Sequence, residues 1–324
     1  MFIGSLAEIL CLNQQANILI MKPIILLISI VHGVYKVQAQ VSDSIQLSNA
    51  SLYYEIKGEG SPILLLSGGP GLSSAQLSSL RDSLSRKYKC ILFDQRGTGQ
   101  SHTSPLDSTT INLKQSVQDI SSLLKKLKLD KIILIGHSWG AMLAVNFAIA
   151  HPSQINKLVL IGSGPLTFSD FLIQQDNIIA RATLEERQYI ERLQDSIRQA
   201  KSPSDAAAYR RQFGKRFLRL ISYDAARIDS IFEEVSKSRT SMATQFLMIQ
   251  DLQKINYNVK NKIGSLNFPT LVICGRQDPI GIFPSIYLKE LNNKFKLEWV
   301  EKSGHFTWLE QSGPFYLELF KFLK

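Results

Sequence analysis

The sequence predicts an α/β fold: a mostly parallel, eight-stranded sheet flanked by helices, with a helical cap inserted after the sixth strand. Three observations carry this expectation. Short, almost wholly apolar runs recur at residues 63–66, 90–93, 131–135, 157–161, 270–274 and 295–300, the pattern of strands buried on both faces of a parallel sheet. One of these runs leads through Gly136-His137-Ser138-Trp139-Gly140 into Ala141–Ala150, where Ala and Leu fall at helical spacing until His151-Pro152 stops the helix. From Pro165 to Asn267 the strand pattern ceases, and Arg, Lys, Gln, Glu and Ala follow helical periodicity. A helical block between two core strands reads as an insertion rather than an independent domain. The expected division is therefore 1–39 outside the fold, 40–164 and 268–324 as the two parts of the core, and 165–267 as the cap.

Taken in order, Met21-Lys22 makes a basic start, Pro23–Val31 is an apolar run, and Val37-Gln38-Ala39 is a small-x-small site. Together they read as a secretory signal cleaved after Ala39, preceded by an upstream extension. The apolar core is short for a membrane span, so no stable membrane insertion is expected once the signal is removed, and a secreted or periplasmic location follows. Ile45–Leu47 and Leu52–Ile56 form an edge hairpin across Ser48-Asn49-Ala50. Ile63–Leu66 runs into Ser67-Gly68-Gly69-Pro70-Gly71, and a helix is expected over Ala75–Lys87. The strand at Cys90–Phe93 ends in Asp94-Gln95-Arg96-Gly97-Thr98-Gly99-Gln100-Ser101. Asp94 and Arg96 are chemically capable, but a turn so rich in Gly, Asp and Ser spends its polar groups on its own backbone. Asn112–Leu129 is an amphipathic helix with Val117, Ile120, Leu123, Leu124 and Leu127 on one face. After the cap, Thr270–Cys274 ends in Gly275-Arg276-Gln277-Asp278-Pro279, Phe295–Val300 leads to Lys302-Ser303-Gly304-His305-Phe306, and Ser312–Leu323 closes the chain as a helix.

Gly-x-Ser-x-Gly between a strand and a helix is the nucleophile elbow of the α/β-hydrolases. The turn is tight enough to exclude bulky flanking side chains, and it holds the central residue strained with its hydroxyl outward. Ser138 is the candidate nucleophile. Asp278 and His305 fall just beyond strand ends, where open α/β sheets place their sites, and the chain order Ser138, Asp278, His305 is the one this fold uses. His305 would take the proton from Ser138, and Asp278 would fix the imidazole tautomer. The other histidines have other settings: His32 in the signal, His102 in a polar turn, His137 in the elbow pointing away from the nucleophile, and His151 at a helix end. The backbone N–H groups of Trp139 and Gly69 are the candidate oxyanion hole. The Gly-rich loop at 67–71 lacks the Lys-Ser/Thr of a phosphate-binding loop.

A net charge of +10 from 37 Lys and Arg against 27 Asp and Glu is moderately basic. No Lys/Arg block is interleaved with aromatics, so nucleic acid is not an expected partner. The basic stripe Arg211, Lys215, Arg219 reads as a solvated face. Cys90 and Cys274 lie in apolar strands and read as free buried thiols, and no metal-site spacing occurs. No cofactor is expected, and the sequence leaves the oligomeric state open.

The motifs Ser-Gly-Gly-Pro-Gly at 67–71, Asp-Gln-Arg-Gly-Thr-Gly-Gln-Ser at 94–101 and Gly-His-Ser-Trp-Gly at 136–140 resemble those of the proline iminopeptidase family of serine peptidases. Gly-Arg-Gln-Asp-Pro and Ser-Gly-His-Phe complete the pattern. The resemblance spans Ser44–Gly164 and Asn267–Lys324. It implies hydrolysis at an N-terminal residue of small peptides through an acyl-enzyme, without a cofactor, with Gly68 beside the substrate and cap glutamates binding its free amine. Glu233-Glu234 and Glu185-Glu186 are the acidic pairs available for that role. Two departures stand out. Ser67 occupies the position where the family has His, and the cap holds no tryptophan, the three being Trp139, Trp299 and Trp308. The alternatives are an esterase or other acyl hydrolase with the same three residues, and a non-catalytic binding protein on the same fold.

Overall fold

The computed structural model describes residues 40–324; the signal segment and its cleavage after Ala39 lie outside the described residues. Among the described residues there are nine strands: β1 (Val41–Gln46), β2 (Ala50–Lys57), β3 (Pro62–Leu66), β4 (Lys89–Phe93), β5 (His102–Thr103), β6 (Ile132–His137), β7 (Ile155–Ile161), β8 (Thr270–Gly275) and β9 (Lys296–Val300). They form one sheet in the order β1-β2-β4-β3-β6-β7-β8-β9, with β5 beside β2. Pairing is antiparallel at the β1-β2-β4 edge and parallel from β4 through β9.

The mostly parallel sheet flanked by helices is as expected; eight of its strands lie along one path. The ninth, β5, is an addition: His102 and Thr103 pair with Ser51 and Ala50. Two residues in a polar turn carry no readable period, and the pairing is made by a partner some fifty positions away.

Alternation along each strand sorts side chains onto two cores. Leu64, Leu66, Ile91, Phe93, Leu134, Leu158, Leu160 and Val272 join one, which is covered by α2 (Leu113–Leu127) and α3 (Trp139–Ala150). Ile63, Leu65, Leu92, Ile133, Ile135, Val159, Ile161, Leu271 and Ile273 join the other, covered by α1 (Ser78–Leu84) and the C-terminal helix (Ser312–Leu323). α2 is amphipathic and starts on Asn112, whose side chain accepts from Gln115 N at 2.9 Å. α3 carries no polar face because it is buried nearly all round.

Between β7 and β8 come α4 (Asp170–Ala180), α5 (Leu184–Arg198), α6 (Pro203–Ile221), α7 (Ile228–Ser236), α8 (Met242–Lys254) and α9 (Lys260–Ile263). β8 and β9 are joined through α10 (Ile282–Leu291), and α11 (Thr307–Glu310) precedes α12 (Ser312–Leu323). Thr183 and Glu186 close a reciprocal capping box at the start of α5, so Glu186 serves its own helix. The basic stripe of α6 is paired: Lys215 with Asp229, Arg219 with Glu186, and Arg211 over the Phe232 ring. No described helix is long and apolar enough to cross a membrane.

Asp94 and Arg96 hold the chain together. Asp94 accepts from Ser74 N and Ser74 Oγ, both at 2.7 Å, and from Gln100 N at 2.8 Å. Arg96 donates twice to Asp119, at 2.8 and 2.5 Å, with both side chains about 2% exposed. A buried pair broken on one side leaves an uncompensated charge. Asp119→Ala is therefore expected to lower the unfolding free energy by about 3–5 kcal/mol in urea denaturation, and an unchanged midpoint would refute this account.

Candidate active site

Ser138 sits where β6 turns into α3, with φ 56° and ψ −120°. A non-Gly residue held there stores on the order of 1–3 kcal/mol of backbone strain. Its N–H donates to Ile161 O on β7 at 2.9 Å, and its carbonyl accepts from Ala141, Met142 and Gly164. The flanking glycines are required by space. A Cβ on Gly136 would overlap the Gly140 carbonyl, and one on Gly140 would overlap the carbonyls of Leu66 and Ser67 on the β3 side. The motif is thus a record of how closely α3 approaches β3 and β6.

Asp278 lies three residues beyond β8, and His305 five beyond β9. The structure brings them together: His305 Nδ1 and Asp278 Oδ2 are 2.9 Å apart, both side chains almost fully buried. The other carboxylate oxygen accepts from Ile280 N at 2.9 Å, while Cys274 lies beneath, its Sγ 3.8 Å from Oδ2. Two glycines make room for the pair. A Cβ on Gly162 (φ 48°) would lie 2.8 Å from Asp278 Oδ2 and 3.2 Å from His305 Nδ1, and one on Gly281 would lie 2.5 Å from Asp278 Oδ2. Gly162 directly follows Ile161, which anchors Ser138, so one short stretch of β7 borders all three groups. The Ser138 hydroxyl itself makes no hydrogen bond among the described residues.

The loop after β3 supplies the opposite wall. Gly69 and Trp139 N–H groups pair with no protein acceptor among the described residues. Gly68 does not share this freedom. It is buried, and its N–H donates to Gln76 Oε1 at 2.8 Å. Its role is close packing, since a Cβ there would meet Ser138 Cβ at 3.2 Å and His137 Nδ1 at 3.3 Å. The Trp139 indole donates to Gln95 Oε1 at 2.8 Å, and Gln95 donates to Ser67 O at 3.0 Å, bracing loop against elbow.

The cap glutamates are placed elsewhere. Glu233 is exposed; Glu234 is buried, pairs with Lys237 and accepts from Ser79 N at 3.0 Å. It fastens α7 to the start of α1, so the amine-anchor expectation for these two is not supported. Other groups that the sequence reading passed over hold the His305 loop. Glu310, 1% exposed, accepts from Gly304 N at 2.9 Å and Tyr223 N at 2.7 Å, and burial raises its carboxyl above the usual range. Arg181 at the end of α4 donates to Gln277 O at 2.7 Å and Ser222 O at 2.8 Å. Nothing in local sequence separates such residues from surface charges; apart from Gly304, six positions from Glu310, their partners are about 40 to 100 positions away.

Cys90 and Cys274 are free and buried, as expected. Burial pushes the Cys90 thiol up to about 12 and that of Cys274 well above its ordinary value, so neither is a thiolate at neutral pH. Among the described residues no group of three or more His, Cys, Asp and Glu is placed to hold a metal ion.

The chain belongs to the alpha/beta hydrolase fold family, whose model matches residues 61–311. It is a hydrolase of that class. A proline iminopeptidase of Heyndrickxia coagulans is 26% identical over 280 residues, covering 83% of this chain and 93% of the relative. Among solved structures, an alpha/beta fold family hydrolase from Bacillus anthracis superposes with TM-score 0.72 at 16% identity, over 87% of this chain and 99% of its own. A proline iminopeptidase of Mycobacterium smegmatis superposes with TM-score 0.67 at 17% identity, over 87% and 97%.

His137 is the buried titratable group next to the site. Its Nε2 lies 3.0 Å from His305 O, and a carbonyl only accepts, so Nε2 carries the proton and props the His305 backbone. Its ring lies 4.6 Å from that of His305 and edge-on to Trp308 at 4.7 Å. Burial first, then the neighbouring His305, holds its pKa well below the ordinary value. Below about pH 6.5 the unfolded chain binds a proton at this position that the folded chain refuses, so stability rises with pH there and is lost as pH falls. Urea unfolding from pH 7 to 5 is expected to show a slope up to about 1.4 kcal/mol per pH unit steeper for wild type than for His137→Gln; parallel profiles would refute the assignment.

Proposed function

We propose that the protein is a serine hydrolase acting through Ser138, His305 and Asp278, and that it is an aminopeptidase of the proline iminopeptidase type. The observation that carries the reading is the buried His305–Asp278 pair beside a strained serine flanked by two unpaired N–H groups. The Asp278 carboxylate accepts the Nδ1 proton, leaving Nε2 as the basic nitrogen. His305 takes the hydroxyl proton as Ser138 Oγ attacks the carbonyl carbon of an amide or ester. The tetrahedral oxyanion is held by Gly69 and Trp139 N–H. The imidazolium gives its proton to the leaving amine as the bond breaks, and water activated by His305 then releases the acyl group. The absence of a hydrogen bond at the Ser138 hydroxyl is compatible with this, since such contacts tighten as substrate arrives.

Small peptides with a free N-terminus are the proposed substrates, supported by the relative's similarity along most of both chains. With Glu234 engaged elsewhere and Glu233 exposed, the proposed acceptors for an ammonium group are Asp170 and Gln174. Both line a cleft of about 90 Å³ with Pro165, Ile280 and Phe283. Gln174 Oε1 is buried without a hydrogen bond, and Asp170 pairs with Lys260 at 3.1 Å. Pro165 follows Gly164, whose N–H bonds Ser138 O, and Ile280 bonds Asp278, so this cleft adjoins the reacting groups. An esterase is the second reading, favoured by the engagement of Glu234 with Lys237 and Ser79 and by the exposure of Glu233.

A fluorophosphonate probe is expected to label Ser138, and Ser138→Ala is expected to lower kcat by roughly 10³–10⁶ on aminoacyl-arylamides. Asp278→Asn is expected to lose about 10⁴ through the wrong tautomer. Equal turnover by the Ser138 variant would overturn the mechanism. Equal turnover of N-acetylated and free-amine arylamides would overturn the aminopeptidase reading in favour of the esterase.

A further inference from the structure

A second and larger cavity, about 350 Å³, opens between the turn after β4 and the segment joining α7 to α8. Its walls include Gly97 and Gly99, His102 and Thr103, and Arg239 and Ser241. No carboxylate lines it. Asp94 lies beneath Gly99, with its oxygens turned to Ser74 and Gln100.

Thr98, Ser101 and Ser241 donate within the protein, but other donors here lack acceptors, among them the exposed Arg239. The Arg239 guanidinium makes no ion pair or hydrogen bond among the described residues, whereas Arg81, Arg96 and Arg181 are all engaged. Its backbone is nevertheless fixed, because Arg239 N donates to Ser73 Oγ at 3.2 Å and Arg239 O accepts from Ser73 N at 3.1 Å. A tethered backbone presenting an unpaired guanidinium limits the ordering cost of binding. Thr103 Oγ1 has no partner but is closed off from solvent, so the hollow meets other atoms of that residue. Gly97 and Gly99 N–H find no protein acceptor among the described residues, and the His102 side chain makes no hydrogen bond there. A free cation and unpaired amides around one hollow ask for an oxyanion.

We infer that this cavity binds a carboxylate or phosphate group of a small ligand, with Arg239 as its principal contact. The wall is continuous with the loop that carries Gly69: Thr240 pairs with Leu72, and Ser241 N donates to Gly71 O at 2.8 Å. Gly71 is two residues from Gly69, at most about 7 Å along an extended chain. Two sources of the anion therefore exist, the far carboxylate of a short peptide substrate or a free oxyanion. The first rests on the aminopeptidase reading; the binding site itself does not.

The test is a titration of the purified chain with inorganic phosphate by calorimetry at low ionic strength, in wild type, Arg239→Ala and Arg198→Ala. Arg198 is exposed and paired with Asp195 on α5, and it controls for general screening. Saturable binding weakened at least about tenfold by Arg239→Ala and unchanged by Arg198→Ala is the expected result. No saturable binding in wild type, or equal binding in all three, overturns the proposal. A second arm compares KM for a dipeptide and its C-terminal amide. A KM penalty for the amide that disappears in Arg239→Ala assigns the substrate carboxylate as the occupant. Equal KM values with phosphate binding intact assign a free oxyanion. Loss of peptidase activity in every protein would sink the functional reading alone, because the phosphate titration does not depend on turnover.

Discussion

The closeness of α3 to β3 and β6 is the constraint on which the site depends. A helix can begin directly above the carbonyl of Leu66 only if its second residue has no Cβ, and Gly140 meets that condition. The same closeness forces the residue at the turn into a conformation that L side chains rarely adopt, with Ser138 at φ 56°. The first amide of α3, like that of any helix, has no intrahelical acceptor. The close approach thus sets a strained serine directly before an unpaired donor. Burial on both faces of the sheet holds that distance, since α3 has almost no side that faces water.

The opposite half of the site obeys a similar rule. Asp278 and His305 come from different strands, and their contact is possible because Gly162 and Gly281 leave the volume their side chains need. The His305 loop is then pinned at three points: its N–H to Ile221 O at 2.8 Å, its carbonyl to His137, and the preceding Gly304 N–H to Glu310. Two of those anchors are buried titratable groups, each with a structural job. Residues of the helical segment thus position the loop that carries the imidazole, and through Arg239 and Ser241 they also hold the loop that carries Gly69.

What the sequence displayed was whatever a local period or a local steric rule can encode. The parallel strands declared themselves as apolar runs because burial on both faces removes alternation. The elbow did so because two glycines at fixed spacing around a serine have few other uses, and the order of Ser138, Asp278 and His305 followed from where strands end. β5 stayed silent because a two-residue strand has no period. Glu310 and Arg181 stayed silent for a different reason: each is a charged residue at a helix whose role depends on partners supplied by a distant segment. Their local patterns are those of ordinary surface positions, and the carboxylates expected to bind an amine, Glu233 and Glu234, had the same ambiguous setting. Helical periodicity in the inserted segment fixes which residues face inward, but not which part of the core they meet.

That difference between the two halves of the molecule bears on specificity. The reacting groups are set by sheet geometry, where one misplaced methyl group at Gly140 or Gly162 would collide with backbone or with the His–Asp pair. The substrate surface proposed above lies on helices of the inserted segment and the loops they touch, where positions are joined by single hydrogen bonds and ion pairs such as Lys260–Asp170. Exchanging an acid for an amide there alters no backbone contact. Chemistry and selectivity are consequently separable in this fold: the first is locked by packing that tolerates almost no change, and the second rests on polar groups at a rim that can be rearranged without disturbing the elbow.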